Sequence, residues 1–176
     1  MAANMWWQKV RALRIFGEHR NIIQILDADA TKYTITVELV PGHSLEKYVD
    51  TIFMFTLTDE RSMHFQDGIA QGLQWLHKKG LLYNDLKAEN TIYDQQSQRT
   101  VLIDFGIAAN DNSQYCIGGD TPCYIDPEYL LRERGQVSDI WALGVLFMFM
   151  LRLVELPRED WLLKDVFDDE SLKGPR

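Results

Sequence analysis

Cysteine is scarce in this 176-residue chain, which carries only Cys116 and Cys123. Their spacing fits neither a C-x-x-C redox pair nor a zinc site, so we expect two thiols in a reducing compartment. The N-terminal stretch has no apolar segment followed by a cleavage-like site, so no secretory signal is expected. Together these observations predict an intracellular protein of the cytoplasm or the nucleus.

Basic charge and long apolar runs are also in short supply. Eighteen Lys and Arg residues stand against 26 Asp and Glu residues, a net charge of -8. Nucleic-acid binding needs a basic surface, so no nucleic-acid partner is expected. The apolar run at residues 140–151 is 12 residues long, whereas a membrane span needs about 20. It therefore predicts a helix buried on all sides and no membrane association.

The hydrophobic pattern indicates a chain that mixes helices and short strands. Apolar residues recur at helical spacing in two segments that end at Gly17 and Gly80. In chain order the predicted elements are a helix over residues 6–16, an extended segment over 22–26, a turn over 27–32, a strand over 33–40, a helix over 58–79, strands at 91–93 and 101–103, an apolar helix capped by Ser138, and a short helix over 162–167.

The segment at residues 81–107 carries the chemistry. Phosphoryl transfer needs a carboxylate beside the acceptor hydroxyl, a cation near the phosphate and oxygen ligands for Mg²⁺. Asp85, Lys87, Asn90 and Asp104 supply these groups in that order. An Asp-x-Lys or Asp-Phe-Gly sequence alone is more often a surface turn, but their combination, with strand-like runs on either side, favours phosphoryl transfer.

The pattern Tyr83-x-Asp85-x-Lys87-x-x-Asn90, followed by Asp104-Phe105-Gly106, resembles the catalytic core of the eukaryotic protein kinases. The resemblance implies that Asp85 is the catalytic base, that Lys87 contacts the γ-phosphate of ATP, and that Asn90 and Asp104 hold Mg²⁺. Lysine two places after the aspartate is typical of serine/threonine kinases.

Two later motifs extend the resemblance. Residues 119–128 resemble the end of a kinase activation segment, with Asp126 where the family has alanine. This likeness implies that Thr121 bonds Asp85 and Lys87, and that Glu128 is structural. Asp139 would be buried and would bond the backbone of the catalytic loop.

The resemblance also implies a fold and a nucleotide site. The expected fold class is α+β and kinase-like, with a remnant of the N-lobe at residues 1–40, a mainly helical C-lobe at 41–165 and a frayed tail at 166–176. Val37 would be the gatekeeper. The backbone from Glu38 to Val40 would bond adenine, and Ile92 would be a further nucleotide-binding residue.

The chain departs from the family pattern at three places. No Gly-x-Gly-x-x-Gly loop and no lysine-bearing strand precede the first helix, so most of the N-lobe is expected to be missing. Lys9 stands where the family has a glutamate. Asn84 replaces the usual arginine, so switching by phosphorylation of Ser113 or Tyr115 is not expected.

Three functions stay open at this point. The first is a shortened or incomplete serine/threonine protein kinase, acting with ATP and Mg²⁺ on a protein substrate. The second is a weak or inactive kinase-like binding module, a pseudokinase or decoy that engages a partner kinase. The third, a small-molecule phosphotransferase of related fold, is disfavoured by Lys87, Gly106, the 121–128 closure and the Asp139-x-Trp141 pair.

Overall fold

The structure is a computed structural model, and it describes residues 2–110, 122–126 and 135–157. The predicted helix at 162–167, the tail at 166–176, Thr121, Glu128, Ser113 and Tyr115 lie outside these residues. The described elements are α1 (Ala2–Phe16), β1 (Ile25–Asp29), β2 (Thr34–Val37), β3 (His43–Ser44), α2 (Asp59–Lys78), β4 (Leu81–Leu82), β5 (Thr91–Asp94), β6 (Arg99–Leu102), β7 (Ala109–Asn110) and α3 (Gln136–Met150), with single 3₁₀ turns at Leu45–Lys47, Ala88–Asn90 and Pro122–Tyr124.

Helix α1 is amphipathic and ends where the sequence predicts. Trp6, Val10, Leu13 and Phe16 are buried along one stripe. Gly17 follows in the left-handed conformation, with φ of 64°, which ends a helix at no steric cost. The Trp6 indole N–H donates to the Thr34 carbonyl at 3.1 Å. This bond fixes α1 against strand β2.

Strands β1 and β2 form an antiparallel hairpin whose bounds differ from the prediction. Ile25 pairs with Val37 and Asp29 with Thr34, so the predicted turn at 27–32 starts too early and the predicted strand at 33–40 is too long. The turn begins only after Asp29, because its carboxylate accepts hydrogen bonds from Thr31 N and Oγ1. Tyr33 lies in the turn with φ of 53°.

Helix α2 contributes Phe65, Ile69, Leu73 and Leu76 to the buried core. Its predicted extent is confirmed to within one residue at each end. Its glycines let it lie directly on strand β6. A Cβ built on Gly68 would come within 2.5 Å of the Thr100 side chain, and one on Gly72 within 2.9 Å of Leu102. Gly80 ends the segment with φ of 69°. The chain then enters β4 and the loop that carries Asp85.

Helix α3 corrects two predictions. It begins at Gln136 with Gly135 as N-cap, not at Ser138, because Ser138 N already donates to the Gly135 carbonyl at 3.1 Å in the first turn. It is also not buried on all sides, since Ile140 remains 51% exposed. One face packs on α2, where Ser62 Oγ donates to the Met150 carbonyl at 3.5 Å. Among the described residues, no helix combines the length and the apolar character that a membrane span requires.

Candidate active site

One cavity of about 990 Å³ brings together the segments that the sequence predicted to bind a nucleotide. Its walls come from α1, from the chain around β2, from β5, and from the segment after β6. The four residues predicted to bind the nucleotide line it, namely Val37, Glu38, Val40 and Ile92. The predicted catalytic base, Asp85, and the predicted Mg²⁺ ligand Asp104 line it as well. Among the residues that line the cavity, Lys9 is the one basic side chain.

Asp85 lies at the floor of this cavity in a fixed orientation. Lys87 Nζ is 3.1 Å from its Oδ1, and Asn90 Nδ2 donates to its Oδ2 at 2.6 Å and to its backbone carbonyl at 3.0 Å. Burial raises the pKa of Asp85, although the Lys87 ammonium and the Asn90 amide oppose the shift. Asp85 thus lines the cavity with a pKa above the ordinary aspartate value, which makes its carboxylate a stronger base.

Asp139 of α3 positions the loop of residues 83–90 from below. Its carboxylate accepts hydrogen bonds from Tyr83 N at 2.9 Å and from Asn84 N at 2.8 Å. His77 Nε2 of helix α2 lies 2.8 Å from Asp139 Oδ2, the oxygen that accepts from Tyr83 N. The Asp139 side chain is 1% exposed, so these charge-assisted bonds act in a dry environment where they are strong.

Asn84 adopts a left-handed conformation, with φ of 64°, that turns the chain toward Asp85. Its side-chain Nδ2 donates to the Ile107 carbonyl at 3.1 Å. The residue that replaces the arginine of the family pattern therefore ties the 83–90 loop to the segment after Gly106. Sequence reasoning noted the substitution but gave no indication of this bond.

Asp104 also has a left-handed backbone, with φ of 53°. Lys9 Nζ donates to its Oδ1 at 2.6 Å, and Gly106 N donates to the same oxygen at 3.2 Å. Partial burial by itself would raise the pKa of Asp104, but the Lys9 ammonium and the Gly106 amide outweigh it and the pKa is lowered. The contact from Lys9 is the main feature that sequence reasoning missed, although the helical spacing of Lys9 with Trp6 and Leu13 could have indicated it.

Phe105 anchors the segment beside Asp104. Its ring is buried, 4.5 Å from the Phe16 ring of α1 and 5.0 Å from the Tyr83 ring. The Tyr83 hydroxyl donates to the Ile103 carbonyl. Helix α1, the 83–90 loop and the Asp104 segment are therefore joined by one cluster of aromatic rings, which meet at interplanar angles of 52° and 62°.

The predicted adenine segment has one backbone donor already engaged. Glu38 N–H donates to the Gln24 carbonyl at 2.9 Å, and the Glu38 carboxylate forms two bonds with Arg99, at 2.8 and 2.9 Å. The Arg99 bonds, assisted by Gln24 N–H, lower the pKa of Glu38 despite its burial. Val40 N–H takes no part in the backbone hydrogen bonds among the described residues. Leu39 N–H likewise takes no part in them, so this segment has two backbone donors that a ligand could use.

The oxygen donors suit a Mg²⁺ ion that arrives with phosphates better than an ion held by protein alone. No cluster of three His, Cys, Asp or Glu side chains at metal-binding distance occurs within residues 2–110, 122–126 and 135–157. The Asn90 amide nitrogen is committed to Asp85, which leaves its Oδ1 for a cation, and Asp104 has Oδ2 beyond the Lys9 contact. Mg²⁺ commonly binds through one or two side chains plus substrate phosphates, so these residues fit it.

Comparison with known proteins agrees with this geometry. The family described as protein kinase domain matches residues 4–162. The chain is 30% identical over 154 residues to the serine/threonine-protein kinase atg1 of Dictyostelium discoideum, a match that covers 79% of this chain and 22% of that protein. It is 30% identical over 153 residues to the CBL-interacting serine/threonine-protein kinase 1 of Arabidopsis thaliana, covering 82% and 34%. The chain thus spans about a third or less of these relatives.

A solved structure shares the fold. The Cydia pomonella granulovirus kinase PK-1 superposes with a TM-score of 0.74 at 20% identity, over 93% of this chain and 61% of that one. Because the family match covers most of the sequence, the chain belongs to the protein kinase domain family. The predicted α+β, kinase-like fold and the serine/threonine-kinase resemblance are confirmed.

Proposed function

We propose that this chain forms an ATP- and Mg²⁺-dependent site that transfers a phosphoryl group to Ser or Thr hydroxyls of a protein substrate. The observation that carries the proposal is the single cavity of about 990 Å³, which Val37, Glu38 and Val40 line on one side and Asp85 and Asp104 on another. A nucleotide bound against the first set would direct its phosphates toward the second.

Each polar side chain has a role that follows from its contacts. Asp85, with its raised pKa and its bonds to Lys87 and Asn90, would accept the proton of the substrate hydroxyl. Lys87, held 3.1 Å from Asp85, would neutralise charge on the transferred phosphoryl group. Asn90 and Asp104 would hold Mg²⁺, which supplies charge neutralisation to the phosphates when it is bound.

The apolar and backbone groups would hold the base of the nucleotide. Val37 and Ile92 line the cavity and would contact the flat faces of adenine. Val40 N–H and the Glu38 carbonyl would provide its hydrogen bonds. Phe105 and Gly106 would set the position of Asp104, and Asp139 that of the 83–90 loop. Thr121 and Glu128 keep the roles that the family resemblance implies, as proposals.

Ligand-induced stabilisation tests this proposal directly. We expect Mg·ATP at millimolar concentration to raise the thermal midpoint of the purified chain, because a ligand of the folded state adds RT ln(1 + [L]/Kd) to stability. The shift should require Mg²⁺ and should be lost in Asp104→Ala. Asp67→Asn, on the exposed face of α2, is the matched control and should leave the shift unchanged. A folded sample with no shift would contradict the proposal.

Phosphoryl transfer is measured on the same proteins. Radiolabelled ATP and a mixture of Ser- and Thr-containing peptides should give labelled peptide with the parent chain and with Asp67→Asn. Asp85→Asn should retain the Mg·ATP midpoint shift and lose labelling by at least about a hundredfold, the usual contribution of a general base. Labelling that survives in Asp85→Asn would rule out Asp85 as the base.

A second candidate is a kinase-like module that binds a partner kinase. The observation that favours it is the exposure of the β1–β2 hairpin and the chain that follows, where Leu39 is 91% exposed and Val37 is 40% exposed. In the part of the chain that the structure describes, these strands pair only with each other. A partner strand or apolar surface could cover them.

The two candidates differ in what they predict for Leu39. If the module binds a partner, mixing with a purified protein kinase domain should give a heterodimer by sedimentation, and Leu39→Ser should weaken it. The matched control is Leu151→Ser, on an exposed leucine after α3. A chain that stays monomeric in the mixture, and that shows the Mg·ATP midpoint shift, would favour the kinase.

A further inference from the structure

Lys9 is placed where it can act on the nucleotide site from helix α1. It shares the inner face of the helix with Trp6 and Leu13, both of which line the cavity with it. Arg11 and Arg14 of the same helix are exposed on the outer face, where they border a separate groove. The helical periodicity therefore separates one inward cation from two outward ones.

The ion pairs around the cavity also distinguish Lys9 from the other basic residues near it. Of the three carboxylates that line it, Glu38 is paired with Arg99 and Asp85 with Lys87. Asp104 is paired with Lys9, through one oxygen. Both side chains of this last pair are partly exposed, at 35% and 49%, and exposed ion pairs contribute little net stability. The Lys9 ammonium can therefore leave Asp104 at small cost when a more strongly charged partner enters.

A Mg·nucleotide is such a partner. Asp104 is the carboxylate proposed to hold Mg²⁺, so the arriving ion brings a second positive charge to the group whose Oδ1 Lys9 now faces. The phosphates bring several negative charges into a cavity whose lining offers one cation, Lys9, while Lys87 lies outside the lining beside Asp85. A compact, flexible ammonium is well suited to follow the charge from a carboxylate to a phosphate.

We propose that Lys9 is the phosphate anchor of this chain: it bonds Asp104 while the site is empty of nucleotide and bonds the nucleotide phosphates when Mg·ATP is present. The cation is thus delivered by the helix itself, from the position where the family has a glutamate. The inference rests on the proposed nucleotide site and specifies how that site recognises phosphate.

Binding measurements with three ligands test the inference without relying on catalysis. Calorimetric titration of the full chain with adenosine, Mg·ADP and Mg·ATP should show that Lys9→Met weakens both phosphorylated ligands by about tenfold or more, the value of a lost charge-assisted bond. Affinity for adenosine should stay unchanged, because adenosine carries no phosphate. Lys9→Arg should recover most of the Mg·ATP affinity.

The controls separate the failure of this inference from the failure of the proposed function. Arg11→Met removes a cation from the outer face of α1 and should leave all three affinities unchanged. Equal Mg·ATP affinity in Lys9→Met and the parent chain would overturn the inference and leave the nucleotide site intact. Tighter Mg·ATP binding by Lys9→Met would also overturn it, because Lys9 would then compete with the metal for Asp104. A parent chain that binds neither adenosine nor Mg·ATP would overturn the proposed function and the inference with it.

Discussion

The region below the cavity and the region above it are built differently. The lower region, made of α2, α3, β3–β7 and the 83–90 loop, buries its rings and joins its polar groups through a network centred on Asp139. The upper region, made of α1, β1 and β2, contributes one buried helix stripe, while most residues of its strands are exposed. The groups proposed for chemistry belong mainly to the lower region.

This difference indicates which groups of the proposed site are held firmly by the rest of the protein. Asp85 is held by a loop whose backbone is bonded from underneath, so its position does not depend on the exposed strands. Lys9 and the Glu38–Val40 segment depend on the upper region, and they are proposed only to bind the nucleotide. Binding groups tolerate more motion than reacting groups, because positioning errors of about 1 Å have a large effect on the chemical step.

The largest expected effect comes from disrupting the cluster of Phe16, Tyr83 and Phe105 rings between the two regions. Phe105→Ala should lower the free energy of unfolding by about 4 kcal/mol, because it leaves a cavity between Phe16 and Tyr83. Urea denaturation measures it. Tyr33→Ala, which removes an exposed ring of the upper region, is the control and should cost much less. Equal losses in both variants would show that the cluster of aromatic rings does not join the regions.

Removing the anchor of the 83–90 loop should have the next largest effect. Asp139→Ala should cost about 3 kcal/mol, because Tyr83 N, Asn84 N and His77 lose a buried charged acceptor. Asp139→Asn keeps one acceptor oxygen and should cost less. Urea denaturation of both variants measures the difference. A loss below about 1 kcal/mol in Asp139→Ala would mean that the loop is held by other contacts.

The pH dependence of stability should separate the two acidic residues of the site. The pKa of Asp85 is raised by burial, so the folded state retains its proton longer than the unfolded state. The free energy of unfolding should therefore fall as the pH rises from the ordinary aspartate value through the raised one. Asp85→Asn should remove this fall, as followed by urea denaturation at successive pH values.

Asp104 supplies the opposite sign in the same experiment. Its pKa is lowered, so its contribution to stability is present above the ordinary aspartate value and is lost as the pH falls through the lowered one. Asp104→Asn should remove that loss at acid pH. If the two variants changed the pH profile in the same direction, the two carboxyl groups would not lie in the environments described.

The smallest expected effect is that of a substitution at an exposed residue of the upper region. Leu39→Ser should change the free energy of unfolding by no more than about 0.5 kcal/mol, since the residue is 91% exposed. Leu73→Ser, at a buried position of α2, is the matched variant of the lower region and should be strongly destabilising. Thermal unfolding of the pair measures both. A large loss in Leu39→Ser would show that its surface is covered in solution.

Local patterns in the sequence predicted the elements that have strong signals. The extent of α2 follows from apolar spacing and Gly80, and strands β5 and β6 follow from short apolar runs around a turn. The ends of β1 and β2 could not be predicted from these patterns, because hydrogen bonds from Thr31 to the Asp29 carboxylate determine where the turn begins. The start of α3 was also missed, since a serine near the helix start was a stronger signal than Gly135, the actual N-cap. The predicted domain bounds stay predictions.

The sequence by itself determined the family and the order of the chemical groups, because phosphoryl transfer requires particular residue types at short, fixed separations. Asp85, Lys87 and Asn90 lie within six consecutive residues, so their proximity could be predicted without knowing the fold. Only the tertiary structure decided which groups from distant segments meet. Lys9 reaches Asp104 across 95 positions, Arg99 reaches Glu38 across 61 and Asp139 reaches Tyr83 across 56. Such contacts depend on how helices and strands pack, which no local spacing records.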